Sequence, residues 1–325
     1  MQAKEYLEKY QPIVYRIFSN AIRDKKLSHA YLVSTSPGMP TLEIATFLAK
    51  SILCENPNPL ACDECRTCHR INDGTDLDLL VFDGKQTRIK KEDVLKITST
   101  FDKTALEKNG KMVYVLHLVE MMTPTAVNAL LKFLEEPGRD VYAILTTENE
   151  SKVLPTIVSR TQVLKLRESE RGKILNDALE MGVKPEDAEI LSALYLDPNK
   201  IKNTAETDSF ISTKEVLVGL MDALTQGPYD AIFYMENTII PDYKEVSKTR
   251  LFIELLTAVF QDLLNLSTGR DIFLKSYATI LNELVEKLKH IDKSLLELLG
   301  APDKLNLNVN TGLLLDHIIY EIVKE

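Results

Sequence analysis

The stretch His29–Lys50, HAYLVSTSPGMPTLEIATFLAK, decides the fold. A short apolar run, Ala30–Val33, leads into a loop of Gly, Pro and Ser, and then Ile44, Ala45, Phe47 and Leu48 recur at helical spacing. Strand, loop and helix in this order form the layout of a phosphate-binding loop, in which backbone N–H groups and a helix N-terminus cradle an anion. The chemistry of such a loop is absent. The pattern G-x-x-x-x-G-K-[ST] needs a lysine for the terminal phosphates and a hydroxyl for the metal. Here its fixed positions are Thr35, Pro40, Thr41 and Leu42, and only Gly38 remains of the loop glycines. Proline at position 40 also removes an N–H that would face phosphate. The sequence thus predicts a nucleotide-binding shape without nucleotide-binding atoms, and no bound nucleotide.

Outward from this stretch, strands and helices alternate. Residues 5–27 read as one or two helices broken at Gln11-Pro12. Asp78–Phe82 reads as a buried strand, 92–106 as an amphipathic helix with Val94, Leu95, Ile97 and Phe101 on its apolar side, and Met112–Leu116 as a strand covered on both faces. A helix from Thr123 to Glu136 opens on Thr-Pro and ends before Pro137-Gly138. Val141–Thr146 and Val163–Leu166 complete the strand signals. This alternation specifies an α/β core with a parallel sheet covered on both faces. Beyond Arg167 helical periodicity takes over, with loops at Gly182–Pro185 and Asp197-Pro198 and long apolar patterns at Leu251–Leu264, Ile280–Leu288 and Leu313–Val323. Three domains are expected: the α/β core over 1–167, a small helical domain over 168–207 and an all-helical domain over 208–325.

Composition sets limits. A 325-residue chain with 45% hydrophobic and 27% charged residues suits two or three globular domains. A net charge of −9 opposes a surface that grips DNA phosphates throughout. The basic run Lys85–Lys91 (KQTRIKK) reads as a solvated loop and helix start, with a surface for DNA or an acidic partner as the alternative. The N-terminus has no apolar signal core and no segment has 18 uninterrupted apolar residues, so a cytoplasmic protein is expected.

Three further sites carry chemistry. Cys54, Cys62, Cys65 and Cys68 are spaced C-x7-C-x2-C-x2-C, which reads as a structural zinc knuckle with a closed four-thiolate shell. Nearby Pro57, Pro59, Asp63 and Glu64 favour a loop insertion, and His69 reads as a surface residue rather than a ligand. The strand Met112–Leu116 runs into His117 and Leu118, where phosphate-loop NTPases carry the acidic pair that holds Mg²⁺ and activates water. Glu120 is two positions too late for either role. Loss of lysine, hydroxyl and both carboxylates together predicts a core that does not hydrolyse ATP. Finally, Ser159-Arg160-Thr161 comes after the last long strand; its arginine reads as a surface salt-bridge residue or as a finger for a neighbour's nucleotide.

Several segments together resemble one family. HAYL before the loop, the cysteine knuckle, Val113–Pro137, ILTTEN (Ile144–Asn149) and LPTIVSRTQ (Leu154–Gln162) are similar to the clamp-loader branch of AAA+ proteins. The likeness is close over about residues 10–167 and weak over 208–325. It implies a RecA-like AAA+ core, a helical lid and an all-helical collar that joins subunits. Within the branch, Thr41, His117 and Leu118 set the chain apart from the gamma/tau type and beside the non-catalytic stator of the bacterial DNA polymerase III clamp loader. That resemblance implies a ring with gamma/tau and delta subunits, loading of the sliding clamp on primed DNA, and membership of a DNA-directed DNA polymerase (nucleotidyltransferase) holoenzyme. It also implies Arg160 (with Ser159) as an arginine finger acting in trans. Thr161 departs from the cysteine usual there. The competing readings are an ATPase with atypical motifs and a zinc-dependent nucleic-acid-binding protein.

Overall fold

The computed structural model describes residues 3–101, 110–136, 138, 140–167, 170–307 and 309–324. Two compact units divide the chain, residues 1–169 and 170–325.

In the first unit, α1 (Ala3–Tyr10) and α2 (Pro12–Arg23) are separated at Gln11, where the sequence places the break. The Gln11 amide binds both the carbonyl (2.6 Å) and the N–H (2.9 Å) of Arg167, so the helix break fastens the far end of the unit. Then come β1 (Ala30–Ser34), α3 (Thr41–Leu53), α4 (Arg66–Asn72), β2 (Leu79–Asp83), α5 (Lys91–Phe101), β3 (Met112–His117), α6 (Pro124–Glu135), β4 (Val141–Thr147), α7 (Pro155–Val158) and β5 (Gln162–Lys165). The five strands pair in parallel in the order β2-β3-β4-β1-β5, the sheet that the alternation predicts. Side chains alternate across it. Leu32, Tyr114, Leu116 and Leu145 pack with Val94 and Ile97 of α5 and with Leu130 and Leu134 of α6. Residues of the opposite parity, such as Tyr31 and Val33, are equally buried, and Tyr31 meets Phe18 of α2 edge-on with ring centroids 5.2 Å apart.

Two local expectations are corrected. The strand expected to be buried at Asp78–Phe82 is the sheet edge β2, and Val81 is 43% exposed because only β3 covers that side. Leu95 is 51% exposed, while Val94 and Ile97, one helical turn apart, make the buried face of α5. Residues 102–106 of that expected helix, and Pro137 beyond α6, lie outside the described residues. The N-cap of α6 is as read: the Thr123 hydroxyl accepts from Ala126 N–H at 3.2 Å.

The second unit is helical among its described residues. It comprises α8 (Arg171–Glu180), α9 (Pro185–Ser192), α10 (Pro198–Ala205), α11 (Asp208–Gln226), α12 (Pro228–Tyr234) leading through a π turn into α13 (Ile240–Asp242), α14 (Val246–Ser267), α15 (Ala278–Lys287), α16 (Ile291–Asn306) and α17 (Thr311–Val323). The apolar pattern of Leu251–Leu264 is the core of α14, whose Phe252, Leu255, Leu256, Val259, Phe260 and Leu263 are buried. The expected boundary near 207 falls between α10 and α11. Polar ties span it: Asp187 of α9 pairs with Lys214 of α11 at 2.5 Å, and Glu189 accepts from Ser276 N–H at 2.7 Å.

Candidate functional site

The loop after β1 is closed on itself. Thr35 and Thr41, both buried, hydrogen-bond through their hydroxyls at 2.8 Å. The N–H of Thr41 turns back to Met39 O (2.8 Å), that of Met39 to Ser36 O (3.4 Å) and that of Thr35 to Thr147 O (2.9 Å). In a working phosphate loop such donors face the anion; here they are directed to the chain itself, and Pro40 has none. Gly38 supplies the turn with φ +87°, a conformation that favours glycine.

The end of β3 is equally self-contained. His117 is buried, its Nδ1 lies 2.8 Å from Thr146 Oγ1, and its Nε2 lies 3.9 Å from Asp83. Burial lowers the His117 pKa, Asp83 pulls it the other way, and Lys85 adds to the lowering. Leu118 sits at φ +60° and donates its N–H to Thr146 Oγ1 at 2.9 Å. Gly84 is needed beside them, because a Cβ there would lie 2.5 Å from the His117 carbonyl oxygen. Glu120, too late in sequence for a metal ligand, accepts from Glu148 N–H at 2.8 Å and so ties the turn after β3 to the end of β4. The Glu148 carboxyl is raised by its own burial and by Glu120, with Lys85 opposing. Loop and strand end share the carboxyl edge of the sheet, bridged by Thr146 and Thr147 of β4.

Arg160 is elsewhere. It precedes β5, whose Gln162 is in register with Tyr31 near the start of β1. In a parallel sheet this is the amino edge, opposite the loop at Thr35. At about 3.3 Å per residue the strand between them spans roughly 15 Å, so Arg160 faces away from its own chain's loop. Its guanidinium is held by three groups. Nη1 donates to Thr156 O (3.0 Å) and Ser159 Oγ (3.4 Å), and Nη2 pairs with Glu135 Oε1 at 2.7 Å. The Arg160 side chain is 34% exposed and that of Glu135 50%. Beside them opens a hollow of about 550 Å³ lined in part by Ser28, His29 and Gln162. Glu135 was not legible as a partner, since it lies 25 residues away on another element.

The four cysteines converge. Their Sγ atoms all lie within 4.8 Å of one another, with Cys54–Cys62 at 3.5 Å, Cys54–Cys65 at 3.9 Å and Cys62–Cys68 at 4.0 Å. A tetrahedral shell with Zn–S bonds of about 2.3 Å has S···S edges of about 3.8 Å, so the donor set fits a tetrahedral metal ion. Each step of the knuckle also directs a backbone N–H at a sulfur: Cys62 to Cys54 (3.4 Å), Cys65 to Cys62 (3.3 Å) and Cys68 to Cys65 (3.4 Å). The last of these caps α4. Burial pushes the Cys54 thiol up to about 11 and that of Cys68 higher still. Burial also opposes ionisation of Cys65, but the N–H groups of Cys68 and Glu55 outweigh it and bring this thiol to about 7. Glu55 braces the knuckle by accepting from the Thr67 hydroxyl at 2.9 Å, and Lys50 pairs with Asp63. His69 is exposed and outside the cluster.

The charged side chains of Lys85–Lys91 are exposed on the loop before α5, and Ile89 alone of that run turns into the core. In the second unit large apolar side chains face outward: Tyr229 (88%) and Phe233 on α12, Leu296 and Leu299 on α16, Leu307 (78%), and Leu313 and Tyr320 on α17. No helix among the described residues is long and apolar enough to cross a membrane.

Comparison with known proteins gives relatives. A family described as "DNA polymerase III, delta subunit" matches residues 10–170. The chain is 29% identical over 317 residues to the DNA polymerase III subunit delta' of Bacillus subtilis, covering 96% of each chain. It is 34% identical over 155 residues to the DNA polymerase III subunit tau of the same organism, covering 47% of this chain and 27% of that one. A solved structure of a DNA polymerase III gamma subunit-related protein from Thermotoga maritima superposes with a TM-score of 0.49 at 16% identity, covering 93% of this chain and 97% of that one.

Proposed function

From its likeness to the DNA polymerase III subunit delta' of Bacillus subtilis over 96% of each chain, we propose that this chain belongs to the clamp-loader branch of the AAA+ proteins and is the non-catalytic stator of a bacterial clamp loader. In this reading it joins gamma/tau and delta subunits in a ring that loads the sliding clamp on primed DNA. Its own core binds no nucleotide and hydrolyses none. Arg160, with Ser159 beside it, reaches the ATP site of the adjacent subunit and stabilises charge that develops on the transferred phosphoryl group.

One observation carries the proposal. Arg160 lies at the sheet edge opposite its own loop, while in that loop the Thr35 and Thr41 hydroxyls bind each other and the N–H groups of Thr41 and Met39 bind the loop's own carbonyls. An arginine so placed cannot serve its own chain's loop and is free to serve another chain's nucleotide, which supports the finger reading over that of a surface salt bridge alone. The residues at the lost catalytic positions, Thr41, His117 and Leu118, support the division of labour. They belong to a core retained for its shape.

Cys54, Cys62, Cys65 and Cys68 would hold one zinc ion, which cross-links the segment between α3 and α4 and takes no part in chemistry. Residues 168–207 would be the lid. Residues 208–325 would be the collar, its outward apolar residues on α12, α16 and α17 buried against neighbouring subunits. The test is reconstitution. Co-expressed gamma/tau and delta subunits from the same source should co-purify with this chain, and the isolated chain should show no saturable MgATP binding at micromolar concentration by calorimetry. Micromolar binding would establish an ATPase with atypical motifs. Strongly salt-dependent DNA binding by the chain alone would establish a nucleic-acid-binding module instead.

A further inference from the structure

We propose that Glu135 is a counter-ion latch on Arg160, holding the guanidinium against the end of α6 until a neighbouring nucleotide's phosphate takes its place. The inference rests on the finger reading of Arg160 and adds to it a positioning residue on this chain.

Glu135 Oε1 and Arg160 Nη2 are 2.7 Å apart, the shortest of the three contacts the guanidinium makes among the described residues. A polyphosphate recognised by arginine competes for that same donor, since phosphate and carboxylate both accept from the guanidinium fork. The two anions cannot share it fully, so engagement requires release from Glu135. Release is feasible. Both side chains are partly exposed, at 34% and 50%, and a pair in that setting shifts an equilibrium by no more than about fivefold. The other edge of the guanidinium keeps an anchor through Nη1, on Thr156 O and Ser159 Oγ within the turn that leaves α7. Glu135 is the last residue of α6, and a helix C-terminus favours the cation that rests there. The hollow beside the pair, walled by Ser28, His29 and Gln162, leaves the guanidinium room to leave that end. Arg160 therefore has a resting place within its own chain and a path out of it.

The experiment uses the reconstituted complex of the full chain with gamma/tau and delta, and compares wild type, Glu135→Gln, Glu135→Asp, Arg160→Ala and the Glu135→Gln/Arg160→Ala double variant. ATP hydrolysis is measured without DNA and with saturating primed DNA, alongside thermal melting. The latch predicts that Glu135→Gln raises the DNA-independent rate, by up to about fivefold, with an unchanged DNA-saturated rate and melting midpoint. It predicts that Glu135→Asp restores wild-type behaviour, and that Glu135→Gln has no effect once Arg160 is alanine. Wild-type rates in Glu135→Gln beside an impaired Arg160→Ala would overturn the latch and leave the finger standing. A Glu135→Gln complex that is slower in both conditions would also overturn it, making Glu135 an orienting group. Unchanged hydrolysis in Arg160→Ala would remove the finger, and the latch with it.

Discussion

Thr41 stands where a phosphate loop carries its lysine, and its hydroxyl is 2.8 Å from that of Thr35, which stands at the first glycine. The two positions together form a buried hydrogen-bonded pair. Thr35→Val should therefore cost about 1 kcal/mol, the ordinary worth of such a bond, by leaving the Thr41 hydroxyl with only the longer contact to Met39 O. Chemical denaturation would check it; a neutral result would mean that the loop is not held by this pair. At this scale the sequence announces what is missing but not what replaces it. Thr41, His117 and Leu118 are legible as departures from the phosphate-loop and acidic-pair patterns. That Thr146 serves both His117 and Leu118, or that Glu135 faces Arg160, depends on contacts between residues about 25 to 30 positions apart, and no local pattern encodes them.

The strands and helices of the first unit were legible because their signals are local. Each of the five strands begins and ends within one residue of its apolar run, and Thr123 and Gln11-Pro12 mark helix boundaries chemically. Which strand lies at the edge could not be read, since strand order is a property of the whole sheet; hence the exposure of Val81. The knuckle between α3 and α4 is the element with the sharpest chemical prediction. Zinc should be present at one ion per chain. Because burial raises the thiols of Cys54 and Cys68, those groups are protonated near neutrality without metal, and zinc uptake must release protons. Affinity should accordingly fall as pH falls. Cys65→Ser, or a strong chelator, should remove the ion and lower the melting midpoint of the first unit. Elemental analysis and calorimetry in buffers of different ionisation enthalpy test both statements, and a metal-free, stably folded wild type would contradict them.

In the first unit, the parallel sheet carries the Thr35–Thr41 hydroxyl pair and buried His117 at its carboxyl edge and Arg160 at its amino edge. The helical second unit presents Tyr229, Phe233, Leu296, Leu307 and Leu313 to its surroundings, as a part destined for assembly would. The N-terminal resemblance was readable from short motifs, whereas the helical unit was not, because helix packing tolerates many sequences and leaves few fixed residues. The central claim is that this chain contributes Arg160 to a reaction it does not itself perform. Its most direct test is DNA-stimulated ATP hydrolysis by the reconstituted complex carrying Arg160→Ala. A finger in trans should leave Arg160→Ala folded and fully incorporated and slow the adjacent site on the order of 10³-fold, seen as loss of that site's share of the total rate; hydrolysis unchanged from wild type would contradict the assignment.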